Sequence, residues 1–182
     1  MVLTRTRLMI FAGAAAVTSL VGFSVHASAA TSTPGLAEAR SATAIYHDPA
    51  AAKAAGYLPT DVCVADPNLG VMGQHWVNPA LFTTDPAAVD PAKPQALLYV
   101  PTAGGVKLVA VEYIVFAPGR VPAANPNQVD PSGPSLFGQH FNGLMAGHEP
   151  GMPTHWDLHV WLWQHNSRGT FAQFNPSTAI SC

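Results

Sequence analysis

Glu112 is the residue whose chemistry most needs explaining. It is the one carboxylate in residues 106–116 (VKLVAVEYIVF), a run that is apolar on both alternating faces. A strand covered on both sides takes such a group out of water at a cost of several kcal/mol, so it must be protonated, paired or bound to a metal. One solution is local. A regular hairpin with residues 96–101 (ALLYVP) places Leu97 opposite Ala110 and Gln95 opposite Glu112, where the amide would hydrogen-bond the acid.

The other solution is a metal. Beyond residue 30 the chain carries His47, His75, His140, His148, His155, His159 and His165, seven histidines against six Lys plus Arg. Histidine is the usual imidazole ligand for transition metals and the usual general base near neutral pH. His75, Glu112 and His159, one from each of three separate extended runs, form a set of two imidazoles and a carboxylate with open positions. That set suits non-haem iron or catalytic zinc. Asp157 and His155 are further candidates. Asp157 shares a face with His159, two positions along residues 157–165 (DLHVWLWQH). His155 and His159 would be roughly 13 Å apart in an extended chain, too far for one ion unless the backbone bends near Pro153. Trp161 and Trp163 continue that face and, with Tyr99, are the predicted walls of a pocket.

The methionines give a second pattern. Beyond residue 30 they are Met72, Met145 and Met152, and each is followed three residues later by a histidine: His75, His148 and His155. Thioether and imidazole together suit copper, Cu(I) above all, although filling gaps in a core is methionine's ordinary task. A divalent transition metal, zinc or iron ahead of copper, is therefore the expected cofactor. The copper alternative draws on Met72, Met145, His148 and Met152. No GxSxG string and no phosphate-cradling glycine loop is present.

These residues need elements to hold them. Residues 35–46 and a segment opened by Asp48-Pro49 and closed by Gly56 read as two short helices. Residues 58–72, 83–94 and 117–154 read as loops, the last long enough to suggest a lid. Residues 96–101 and 106–116 form the clearest hairpin, 157–165 a third strong strand, and 170–174 its partner. The expected class is α+β, two short N-terminal helices and an antiparallel sheet of about four to five strands.

Residues 1–29 have the form of a secretory signal. Arg5 and Arg7 precede an uncharged, mostly apolar stretch, and Ala27-Ser28-Ala29 offers a small-x-small cleavage pattern. Residues 30–182 then form one exported domain, without stable membrane insertion, with six basic and ten acidic residues. That charge balance is unsuited to nucleic acid, while a small-molecule ligand is compatible with it. In an oxidising compartment the only two cysteines, Cys63 and Cys182, would form a disulfide.

The strings Gly70-Val-Met-Gly-Gln-His75-Trp-Val-Asn78-Pro-Ala-Leu, Ala96-Leu-Leu-Tyr-Val-Pro101, Leu108-Val-Ala-Val-Glu112-Tyr and Leu158-His159-Val-Trp-Leu-Trp163 resemble those of a family of uncharacterised exported bacterial proteins. The resemblance spans most of the chain from about Ser41. It implies export and places His75, Glu112 and His159 inside the shared strings, but it brings no established activity, cofactor or partner. The sequence thus points to an exported metal-binding protein with a His/His/carboxylate site, with metal-dependent catalysis on an unknown substrate left open. The alternatives are a non-catalytic copper or apolar-ligand binding module, or a disulfide-stapled structural domain.

Overall fold

The computed structural model describes residues 33–148 and 150–182, and the segment read as an export signal lies outside them. Helix α1 (Leu36–Thr43) runs on into a 3-10 turn at Ala44–His47, and α2 (Pro49–Ala54) follows. Asp48 caps α2, its carboxylate accepting from the Ala50 amide while Pro49 occupies the first helical position. Such a cap stabilises a helix by about 1 kcal/mol.

Both helices pack on an antiparallel sheet built from β1 (Leu58–Asp66), β2 (Gly70–Val77), β3 (Ala96–Thr102), β4 (Gly105–Phe116), β7 (Asn142–Met145) and β8 (His155–Val160), in the order β1-β2-β3-β4-β8-β7. β5 (Ser135–Leu136) and β6 (Gln139–His140) pair with each other in a small separate ribbon. The α+β architecture is as expected, with six strands in the main sheet.

Three expectations change. Residues 58–72 were expected to be loop and instead supply β1 and the start of β2. β1 is an edge strand with Pro59 near its start and mostly exposed side chains, so it lacks the apolar alternation of an interior strand. Residues 117–154 are not a single loop, since they contain β5, β6 and β7. The strand expected over 157–165 runs instead over His155–Val160, where the Leu162 amide turns back to the Val160 carbonyl. Residues 170–174 accordingly form no strand, although the Trp161 amide still donates to Thr170.

The sheet separates two apolar layers. Under the helices lie Leu97, Tyr99, Val111, Tyr113, Leu158 and Val160. On the other face Val71, Leu98, Val100, Val109, Ala110, Trp161 and Ile180 form a smaller cluster. Each fully buried aliphatic side chain contributes about 1.5–3 kcal/mol. Cys63 on β1 and Cys182 form a disulfide across a sequence separation of 119, as expected. No helix among the described residues is long and apolar enough to cross a membrane.

Candidate metal centre

Register brings the polar groups together. In β3–β4 the pairs run Tyr99 with Leu108 and then Leu98 with Ala110, so Val109 is an extra residue on β4. That bulge shifts the pairing by one and places Glu112 opposite Ala96 rather than Gln95. Gln95 is used elsewhere: its Nε2 donates to the Leu81 carbonyl, and its Oε1 accepts from the Ile114 amide. The local solution for Glu112 is thereby removed.

On its other side Glu112 pairs directly with His159 of β8. His75 stands on β2 opposite Leu98, one strand beyond β3. It meets Glu112 across β3 beside Ala96, whose single methyl leaves the way open. Close contact of β2 with β3 also requires Gly73 (φ +113), where a Cβ would stand 2.9 Å from the Tyr99 carbonyl oxygen.

The result is a triad whose candidate ligand atoms all lie within 4.8 Å of one another. His75 Nε2 is 3.2 Å from Glu112 Oε2, and His159 Nε2 is 3.6 Å from Glu112 Oε1. Ligand atoms around a tetrahedral ion with bonds of ~2.0–2.1 Å stand about 3.4 Å apart. Glu112 is only 4 % exposed and His159 0 %. Glu112 Oε2 and both ring nitrogens of His159 are buried without a hydrogen-bond partner, a costly condition for protein atoms.

Asp157 lies beside the triad. Its Oδ2 is 3.8 Å from His159 Nδ1, and its Oδ1 accepts from Gln173 Nε2 at 3.3 Å. This places it on the far edge of the His159 ring from Glu112, where a carboxylate orients an imidazole whose other nitrogen binds a metal. His155 does not join the triad. It sits opposite Phe116, its Nδ1 3.1 Å from the Pro153 carbonyl oxygen and its ring 5.0 Å from that of His148.

Two influences oppose each other at Glu112: burial raises its carboxyl, and the neighbouring His159 and His75 rings lower it. His159, however, is depressed to about 4, because burial outweighs the pull of Glu112. The neutral His159 governs, since its ring is fully enclosed and neither nitrogen is hydrogen-bonded. Burial, followed by the charge of Glu112, pushes Asp157 well above its ordinary value, against the Gln173 hydrogen bond. The centre therefore sets the Glu112 carboxyl group beside the one free lone pair of an uncharged His159 ring, an arrangement suited to a cation.

Through His75 and Glu112 the triad borders a cavity of about 420 Å³, lined also by Asp157, His155 and apolar groups including Val77 and Ile114, while His159 lies behind them. Met72, Met145, Met152 and His148 line it too. Met72 reaches it because it is the extra residue between the pairs Val64–Gly73 and Ala65–Val71. Trp161, Trp163 and Tyr99, expected as pocket walls, are not among its lining residues. Trp161 packs in the smaller apolar cluster and donates to the Ala172 carbonyl. Trp163 lies beyond the end of β8, with the Arg40 guanidinium 4.6 Å from its ring centre and the His47 ring at 4.4 Å. Tyr99 belongs to the layer under the helices, its hydroxyl donating to the Tyr46 carbonyl. Gln173 and Phe174, marked out by no motif or periodicity, line the cavity instead.

Comparison of the chain with protein-family models, with curated proteins and with solved structures gave no match.

Proposed function

We propose that this is an exported metal-binding protein whose ion is held by His75, Glu112 and His159. One observation carries the reading: three donor groups from three strands converge within 4.8 Å, and neither ring nitrogen of the buried His159 is hydrogen-bonded. Two imidazoles and one carboxylate suit zinc or iron and leave coordination positions open. An open position is what Lewis-acid or water-activating chemistry needs. A cavity of about 420 Å³ beside the triad is in the size range that takes a small molecule, so we place the ligand of this centre there. Export is supported by the form of residues 1–29 and by the Cys63–Cys182 disulfide.

Elemental analysis of the mature protein, purified without tags or chelators, tests the reading. Wild type should hold close to one equivalent of zinc or iron. His75→Ala, Glu112→Gln and His159→Ala should each lose it while keeping the disulfide and the native circular dichroism spectrum. A folded His159→Ala protein with undiminished metal would sink the proposal.

A further inference from the structure

A second cluster lies on the hairpin formed by β7 and β8. Met145, the last residue of β7, is the direct cross-strand partner of His155, the first residue of β8. Cross-strand partners project to the same face with Cβ atoms about 4.5–5.5 Å apart. Met145 is 3 % exposed and His155 1 %. The connecting loop folds back tightly on itself, since a Cβ at Gly147 would stand within 3 Å of Met152 atoms. The same loop carries His148, whose ring lies 5.0 Å from that of His155 at an interplanar angle of 77°. Two imidazoles bound to one ion at ~2.0–2.1 Å place their ring centres roughly 4.5–5 Å apart for right-angle to tetrahedral geometry. Met145, His148, Met152 and His155 all line the cavity described above. Nothing in the triad uses them.

We propose that Met145, His148, Met152 and His155 form a second metal site, of two thioethers and two imidazoles, that takes Cu(I). The donor set decides the ion. Thioether sulfur is a soft, neutral ligand that binds Cu(I) well and hard divalent ions poorly, and none of these four side chains is a carboxylate. The triad is the reverse, with a carboxylate and no sulfur, so the two sites divide soft from hard metal within one cavity. Met72 lines the cavity from β2, beyond β3, β4 and β8 in the strand order, and is not a member of the hairpin set.

Anaerobic titration of the intact mature protein with Cu(I), against a chromophoric Cu(I) chelator, tests the site. The proposal expects wild type and Glu112→Gln to bind one Cu(I) with the same affinity, and sulfur to appear in the X-ray absorption spectrum of the bound copper. Met145→Leu/Met152→Leu and His148→Ala should each weaken Cu(I) by about tenfold or more, while leaving zinc stoichiometry at the triad unchanged. His148 is exposed, so its variant keeps the test valid if the buried Met145 proves necessary for folding. Three outcomes would overturn the proposal: wild type that binds no Cu(I), Cu(I) lost with Glu112→Gln but retained by the folded His148→Ala protein, or bound copper with no sulfur neighbour.

Discussion

Asp157 separates the needs of folding from those of metal binding. In the metal-free protein it is a buried acid whose folded-state pKa is raised by burial and by Glu112. A group shifted in that direction contributes its full stability below the unfolded value of about 3.9 and loses it as pH rises. Asn is nearly isosteric with the protonated acid and cannot ionise. Asp157→Asn should therefore melt above wild type in the metal-free form, by a margin that grows as the pH rises above about 4. The same change replaces the carboxyl group 3.8 Å from His159 Nδ1 with an amide that can take no charge. Loss of such an orienting group typically costs about 10–100-fold in metal affinity, and titration with zinc should show that loss. A variant that gains stability and loses affinity together would distinguish orientation from simple damage.

At the scale of the elements, Ala96 is the gap in β3 through which β2 and β4 share a site. Ala96→Leu keeps strand character but puts a branched side chain between His75 and Glu112. It should cost about 1–3 kcal/mol by overpacking and should weaken metal binding more than a size-matched change at Leu98, checked by urea unfolding beside a metal titration. The sequence showed the apolar character of β4, the misplaced acid and the Asp48-Pro49 helix start, because each is a local pattern. It did not show the bulge at Val109, since one extra residue among valines leaves no compositional trace. β1 was missed because an exposed edge strand lacks alternation. β8 was drawn too long because Trp161, Leu162 and Trp163 carry strand propensity past the turn at Val160. The meeting of His148 with His155 depends on how a loop folds back, and no periodicity reports that.

For the molecule as a whole, the disulfide is one restraint added to the apolar core, and the metal proposed for the triad would be a second. Metal that binds only the folded state at a hundred times its dissociation constant adds about 2.7 kcal/mol. In a domain of this size that raises the melting temperature by roughly 5–10 °C, measurable by calorimetry with and without chelator. Cys63→Ser/Cys182→Ser opens a loop of 119 residues. The chain-entropy limit for that loop is about 4–5 kcal/mol, so the double variant should melt lower than wild type by roughly 8–20 °C at most.

The position of the bridge matters as much as its strength. Cys63 lies between Val62 and Val64, which line the cavity on one side, while Gln173 and Phe174 of the C-terminal segment line it too. The covalent link is thus a brace across the rim of the chamber rather than a fastening deep in the core. Reductant should widen that aperture before it disturbs any ligand, and bound ions should escape faster from reduced protein that is still folded.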